Sequence, residues 1–336
     1  MANVSIIGGG SWGIAIAVLL HKNGHKITVW SKLENEIAML KEKHEHKMLP
    51  GIKLAEDMIF TTDAKEAADG KDLLVMAVAS AYTRSTAKEF AALVAPGQII
   101  VNVAKGIEEN TLLTLSEIIE EEIPQAQVAV LSGPSHAEEV SKGIPTTIVV
   151  GAKRKATAEY IQNLFMNDVF RVYTSPDLQG IELGGSLKNV VALAAGIADG
   201  LGYGDNTKAA LITRGIAEIS RLGVAMGAKL ETFNGLTGIG DLIVTCASMH
   251  SRNRRAGILI GQGKTMQEAM DEVQMVVEGV YSAKAAMQLA EKYRVQLPII
   301  EQVNKVLFEG KPAADAVKDL MLRDKKIEIS DDGWAE

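Results

Sequence analysis

The chain has 336 residues, of which 47% are hydrophobic and 23% are charged, as is typical of a soluble globular protein. This length exceeds that of one typical hydrophobic core and predicts two domains. The formal net charge of -7 argues against a general nucleic-acid or membrane-surface role, and the single cysteine excludes an intrachain disulfide and a cysteine-based metal cluster.

No targeting or membrane-spanning segment is predicted. The N-terminus lacks the basic segment of a secretory signal, and the most apolar later stretch, VVALAAGIADGLG, is too short for a bilayer and contains Asp199. The sequence therefore predicts a cytoplasmic protein without stable membrane insertion.

The first residues predict a strand, a tight glycine turn and a helix. A short apolar run leads into Gly8, Gly10 and Gly13, which have G-x-G-x-x-G spacing. In a dinucleotide site Gly8 permits the sharp turn, Gly10 lets a pyrophosphate reach the backbone, and Gly13 lets the helix pack closely. The phosphates would then bind at the helix N-terminus. A purely structural glycine turn is the alternative interpretation.

A second parallel strand is predicted at 27–30, and its end bears on coenzyme choice. NAD-selective sites usually have Asp or Glu there, on the ribose 2′-hydroxyl. This chain has Ser31 and Lys32, a hydroxyl and a cation that suit a 2′-phosphate, so NADPH is expected to be accepted. In the alternative interpretation Lys32 is only a solvated loop residue.

Further apolar runs at 73–80, 99–105, 128–135 and 146–150 alternate with helical segments and predict a doubly wound parallel sheet of the Rossmann type. Ligands bind beyond the carboxyl ends of the strands in such sheets. Those ends are 79–80, 104–106 and 132–136.

Lys105, the segment 132–135 and His136 lie near these ends and are candidate site residues. Lys105 can offer its charge to a phosphate or carboxylate, although an exposed loop lysine is the usual alternative. The S-G-P-S segment at 132–135 supplies backbone donors and a hydroxyl. His136 is interpreted as a hydrogen-bonded histidine and, as the alternative, as an acid. His44 and His46 lack the i, i+4 spacing of helix-borne ligands, and no metal site is predicted.

The pattern then changes to long helices, which predicts a dinucleotide-binding domain at 1–185 and an all-helical substrate-binding domain at 186–336. The last residues, 329–336, are predicted to be a frayed tail.

Lys188 and Asn189 lie at the beginning of the helix predicted at 186–199. Desolvation there would lower the pKa of Lys188 toward a range useful for proton transfer. The residues alone favour a surface lysine at a helix start.

A second group of polar residues lies at 241–253. Asp241 follows a glycine turn, and Thr245 is four residues further on and so on the same helix face. Ser251, Arg252 and Asn253 together supply a hydroxyl, a guanidinium and an amide, which suit a phosphate dianion. Asp241 is placed to orient the lysine and to offset its charge.

Together these residues resemble the bacterial NAD(P)-dependent sn-glycerol-3-phosphate dehydrogenases, and the resemblance covers nearly the whole chain. It rests on the motifs G-G-G-S-W-G, A-K-G, S-G-P-S-H-A, G-S-L-K-N-V-V-A, G-L-G-Y-G-D-N-T-K-A-A, G-D-L-I-V-T-C, S-R-N and V-V-E-G. Ser186 stands where the family often has Ala. The segment H-E-H-K-M-L-P at 44–50 departs from the family pattern, which puts the local loop in doubt.

The resemblance implies a homodimer that reversibly reduces dihydroxyacetone phosphate to sn-glycerol 3-phosphate for phospholipid synthesis. It implies Lys188 as the proton-transferring residue, with Asp241 and Lys105 beside it. The implied coenzyme contacts, for NADP or NAD, are Gly8, Gly10, Ser11, Trp12, Gly13, Lys32, Lys105, Ala137, Arg252, Val276 and Glu278. The implied substrate contacts are Lys105, Gly133, Ser135, Lys188, Asp241, Thr245, Ser251, Arg252 and Asn253.

Two other functions compete with this interpretation. β-Hydroxyacid and 6-phosphogluconate type dehydrogenases share the layout and a catalytic lysine, but they place Asn four residues after that lysine, where this chain has Ala192. A non-catalytic coenzyme sensor would have no need to keep Lys188, Asp241 and Arg252.

Overall fold

A computed structural model describes residues 1–325, 327 and 328, so the tail predicted at 329–336 lies outside the described residues. The described chain contains an eight-stranded sheet with the order β3-β2-β1-β4-β5-β6-β7-β8. The strands are β1 Asn3–Ile7, β2 Lys26–Trp30, β3 Ile59–Thr61, β4 Leu73–Met76, β5 Ile99–Asn102, β6 Gln127–Ser132, β7 Thr146–Ala152 and β8 Phe170–Ser175.

The predicted doubly wound parallel sheet is confirmed, with one exception. Every neighbouring pair is parallel except β6 and β7, which are antiparallel. The connection between these two strands contains a helix of only four residues, Ala137–Val140, which is too short to run back along the sheet as a crossover helix. The three-residue strand β3 has no counterpart in the sequence prediction, because it is too short to show a period.

Helices cover both faces of the sheet. Alternate side chains of β1 enter different apolar clusters, with Ile6 in the cluster that contains Phe165 and Ile7 in the one that contains Trp30 and Phe90. Both clusters are built on near-continuous apolar strands, as expected for a sheet that is buried on both sides. The helices of this part are α1 Ser11–Lys22, α2 Glu34–Lys43, α3 Ala64–Ala68, α4 Thr83–Phe90, α5 Leu115–Glu122, α6 Ala137–Val140 and α7 Lys155–Phe165.

The long helix α8, Leu178–Gly200, begins eight residues before the start predicted at 186. Asp177 caps it, since its carboxylate accepts a hydrogen bond of 3.0 Å from the Gly180 amide. Gly184 and Gly185 disguised this first part of the helix because glycine has a low helix propensity. Their missing side chains serve packing: a Cβ atom would lie 2.5 Å from the Thr237 carbonyl oxygen at Gly184, and 2.9 Å from Ser132 Oγ at Gly185.

Helix α8 is the axis of the remaining, helical part of the chain and contributes much of its apolar core. Among the described residues it is the one helix long and apolar enough to cross a membrane, but it is buried within the protein. The division at residues 185 and 186 stays a prediction. The other helices are α9 Asp205–Ala225, α10 Leu230–Phe233, α11 Asp241–Ala247, α12 Arg252–Gly261, α13 Met266–Val273, α14 Glu278–Tyr293, α15 Pro298–Phe308 and α16 Ala313–Met321, with a π-helical turn at Leu236–Gly240.

Candidate active site

The glycine turn after β1 has the geometry of a dinucleotide cradle. Gly8 has a φ of +126°, which favours glycine, and a Cβ atom there would lie 2.8 Å from the Ala77 backbone. At Gly13 a Cβ atom would lie 2.2 Å from the Gly8 carbonyl oxygen, whereas a Cβ atom at Gly10 would meet no atom within 4 Å. Gly10 therefore leaves open space at the start of α1, where the first helical N–H groups lack intrahelical acceptors.

The different surroundings of these glycines give a matched pair of variants. Gly13→Ala places a methyl group against backbone, so we expect the free energy of unfolding to fall by about 1–3 kcal/mol. Gly10→Ala meets open space, so the fold is expected to stay intact while NADH affinity falls at least about tenfold, the effect of losing close backbone contact with the phosphates. Thermal unfolding and a fluorescence titration with NADH distinguish the two; unchanged affinity in Gly10→Ala contradicts the assignment of this cradle.

The side chain of Trp12 joins α1 to the neighbouring strand ends. Its indole N–H donates a 3.1 Å hydrogen bond to the carbonyl of Val103, just beyond β5. Ser11 is half-buried at the first position of α1, and Ala137 is buried at the first position of α6. These residues border the same carboxyl edge of the sheet.

Asp241 lies between two lysines that are far from it in the sequence. Its Oδ2 atom is 2.6 Å from Nζ of Lys105, which follows β5, and its Oδ1 atom pairs with Nζ of Lys188 on α8. Burial alone raises the pKa of Asp241, but Lys105 and Lys188 outweigh it, so the pKa lies below its ordinary value. The carboxylate is thus charged and anchors both ammonium groups.

Lys188 is in the middle of α8 and is only 5% exposed, so the surface position favoured by the residues alone is wrong. Its Nζ atom also donates to Thr245 Oγ1 at 2.7 Å. Burial lowers the pKa of Lys188 to about 7, against the opposing effect of Asp241. A group with this pKa exchanges a proton near neutral pH.

The predicted proximity of Asp241 and Thr245 is confirmed, since Thr245 Oγ1 donates to the Asp241 carbonyl at 2.6 Å within α11. Lys105 also donates to the Gly133 carbonyl at 3.0 Å, and Ser135 donates to the same oxygen at 2.9 Å. The structure therefore brings the ends of β5 and β6 together with α8 and α11.

The N-terminus of α12 contributes the third part of the site. Ser251 caps this ten-residue helix by accepting from the Arg254 amide at 3.2 Å. Asn253 donates to Asn189 Oδ1 on α8 at 2.9 Å and accepts from the Gly279 amide at 2.8 Å. These bonds hold α12 against both α8 and α14.

Arg252 is half-buried beside two carboxylates without forming an ion pair within the described residues. Burial lowers its pKa, and Glu278 and Glu138 oppose this shift. Guanidinium stays protonated in proteins, so Arg252 presents a partly desolvated cation with free donors.

Glu278, at the start of α14, reaches the end of β4. Its carboxylate accepts a 3.1 Å hydrogen bond from the Ser80 amide and a second one from the Ser80 hydroxyl. Burial raises the pKa of Glu278, while Ser80 and then Arg252 lower it. Val276 is half-buried two residues earlier. This link joins the strand edge to the helical part of the chain.

Lys32 agrees with the alternative interpretation of a solvated residue, whereas one ring nitrogen of His136 lacks the expected hydrogen bond within the described part of the chain. Lys32 is exposed and pairs with Glu89 at 3.0 Å, while Ser31 donates to Glu36 at 2.5 Å. Nε2 of His136 is buried without a hydrogen-bond partner among the described residues, so the hydrogen-bonded histidine is not found at this atom. Burial, followed by Lys188, lowers the pKa of His136 and favours the neutral imidazole.

Sequence reasoning overlooked the partners of the site residues. The sequence assigned no contact to Asn189 or to Glu36. Asn189 accepts a hydrogen bond from Asn253, and Glu36 accepts one from Ser31. Glu36 could have been identified from its position in the first turn of the helix that follows β2. For Asn189 the sequence offered only an amide side chain within an apolar helix.

The two parts of the chain match the two models of one enzyme family. Residues 3–158 match the NAD-dependent glycerol-3-phosphate dehydrogenase N-terminus, and residues 177–318 match its C-terminus.

Individual relatives agree over their full length. The NAD(P)+-type glycerol-3-phosphate dehydrogenase of Agathobacter rectalis is 67% identical over 335 residues, which is 99% of this chain and 100% of the relative. That of Fusobacterium nucleatum is 65% identical over 332 residues, covering 98% and 99%. The crystal structure of glycerol-3-phosphate dehydrogenase from Coxiella burnetii superposes with a TM-score of 0.93 at 34% identity, covering 96% of this chain and 99% of that one. The chain therefore belongs to the NAD-dependent glycerol-3-phosphate dehydrogenase family.

Proposed function

We propose that this chain reversibly reduces dihydroxyacetone phosphate to sn-glycerol 3-phosphate with NADH or NADPH. The observation that carries the proposal is the group formed by the buried Lys188 and Asp241 with the half-buried Lys105. This group lies beyond the carboxyl ends of the strands, as does the glycine turn. The match to both family models supports this reaction for the three residues. It also favours this activity over the hydroxyacid dehydrogenase and sensor alternatives.

Lys188 is the proposed proton donor in the reduction. As negative charge develops on the C2 oxygen of the substrate, the ammonium group of Lys188 transfers a proton to it; in the oxidation the neutral amine takes the proton back. Asp241 fixes the position of Nζ, and Thr245 accepts a hydrogen bond from it. Lys105 keeps Asp241 paired in both protonation states of Lys188.

The phosphate of the substrate is proposed to bind at the start of α12. Arg252 offers bidentate donors, and Ser251 and Asn253 add a hydroxyl and an amide beside the helix N-terminus. Gly133 and Ser135 line the same edge. Binding energy from the phosphate, which is remote from C2, would position the carbonyl for reaction.

The coenzyme is proposed to bind along the glycine turn. The open space at Gly10 and the close packing at Gly13 fit a pyrophosphate there. A bound nicotinamide coenzyme supplies the hydride that adds to C2. The remaining proposed contacts are Gly8, Ser11, Trp12, Lys32, Lys105, Ala137, Arg252, Val276 and Glu278.

The pKa of Lys188, lowered to about 7 by burial, gives opposite pH profiles for the two directions. Reduction needs protonated Lys188, so its kcat is expected to fall as the pH rises through about 7. Oxidation needs the neutral amine, so its kcat is expected to fall as the pH drops through the same range. Initial rates measured in both directions between about pH 5 and 9 test the proposal, because buried lysines titrate in this range. Profiles of the same sign, or no turnover at all, contradict it.

We also propose a cytoplasmic homodimer that supplies glycerol 3-phosphate for phospholipid synthesis. The exposed apolar side chains of Val224 and Met321 line one groove of the helical part and support a further protein contact there. We further propose residues 1–185 as the dinucleotide-binding domain and residues 186–336 as the substrate-binding domain.

A further inference from the structure

The carboxylate of Glu36 lies between the end of β2 and the glycine turn. Ser31, the first residue after β2, donates its hydroxyl proton to Oε2 of Glu36 at 2.5 Å. A Cβ atom placed on Gly9 would lie 2.8 Å from the same oxygen. Glu36 is half-buried in the first turn of α2. The carboxylate therefore sits directly against the turn that fits a dinucleotide.

We propose that Glu36 makes this enzyme prefer NADH to NADPH, an inference that rests on the proposed coenzyme binding. In dinucleotide folds an acidic side chain near the end of the second strand accepts a hydrogen bond from the ribose 2′-hydroxyl of NAD. Here the acidic group comes from the following helix and reaches the same place. A 2′-phosphate would bring a second negative charge against Glu36, and like charges at short range repel.

The two groups that suit a 2′-phosphate in the sequence are both engaged by carboxylates. Ser31 donates its hydroxyl proton to Glu36, and Lys32 pairs with Glu89 at 3.0 Å. The Lys32 side chain is 75% exposed, so its charge is well screened by solvent. The exposed pair is weak enough to open, but a solvated lysine offers little to offset the nearby, half-buried carboxylate.

A coenzyme titration without substrate tests this inference. Nicotinamide fluorescence gives the Kd values of NADH and NADPH for the wild-type protein and for Glu36→Gln, which keeps an oxygen acceptor for Ser31 but removes the charge. We expect the wild-type protein to bind NADH at least about tenfold more tightly than NADPH, and Glu36→Gln to reduce this ratio by about tenfold, as expected for removing one close repulsive charge.

The matched control is Glu34→Gln, which removes the same charge from an exposed position of the same helical turn. It is expected to leave the ratio within about twofold, because solvent screens exposed charges. Equal or tighter binding of NADPH by the wild-type protein overturns the inference, as does a ratio that Glu36→Gln leaves unchanged or that Glu34→Gln changes equally. NADH preference without turnover of dihydroxyacetone phosphate would instead remove the proposed reaction and leave this inference standing.

Discussion

Replacement of Lys188 by alanine is expected to lower kcat for the reduction of dihydroxyacetone phosphate by about 10³- to 10⁴-fold, the upper range for loss of a positioned proton donor. NADH affinity is expected to stay within about twofold, since Lys188 lies on α8 and not in the glycine turn. Stopped-flow rates and a fluorescence titration measure the two effects separately.

The fold should survive this change, because Asp241 keeps its ion pair with Lys105. Thermal unfolding checks that point. Lys208→Ala is the control, since Lys208 also pairs with an aspartate, Asp199, but outside the proposed site. Near-normal turnover in Lys188→Ala would contradict the assignment of Lys188 as the proton donor.

The second large effect is expected from Asp241→Asn, which leaves Lys105 and Lys188 without their carboxylate. Breaking a buried ion pair from one side typically costs about 3–5 kcal/mol of unfolding free energy. The loss of Asp241 also removes the group that opposes the lowering of the Lys188 pKa, so less of the lysine is protonated at neutral pH. Both stability and kcat for the reduction should therefore fall, as urea unfolding and initial rates would show.

Two further variants separate the electrostatic cause from a packing defect. Asp199→Asn removes a carboxylate that also holds two cations, Lys208 and Arg254, but that is more exposed, so it should cost less stability and spare kcat. Adding Lys188→Met to Asp241→Asn removes one unpaired buried amine and should recover part of the lost stability. A double variant less stable than Asp241→Asn would contradict the electrostatic account.

Six of the eight strands could be predicted from sequence because each is a short, largely apolar run. The three-residue β3 and the partly exposed β8 could not. The glycine spacing predicted the tight turn after β1, since Gly8 has a positive φ and Gly13 lies close to the Gly8 carbonyl oxygen. The start of α8 could not be predicted, because Gly184 and Gly185 weaken the local helix signal and are explained only by contacts with distant backbone and side-chain atoms.

The contacts of the candidate site were likewise predictable only in part. Asp241 and Thr245 were placed together correctly because helix geometry relates residues four apart. The pairing of Asp241 with both lysines depends on how α8 and α11 pack at the strand ends, and no periodicity encodes it. The contact between Ser31 and Glu36 could not be predicted either, because the sequence shows a glutamate at 36 but not the direction of its side chain.

The most direct test of the proposed reaction is the loss of nicotinamide absorbance when the purified protein meets dihydroxyacetone phosphate. NADH and NADPH are run in parallel, and unphosphorylated dihydroxyacetone is the control. We expect oxidation of the coenzyme that requires the phosphate, because Arg252 and the start of α12 form the proposed phosphate site. No oxidation of either coenzyme, or equal rates with and without the phosphate group, would contradict the account.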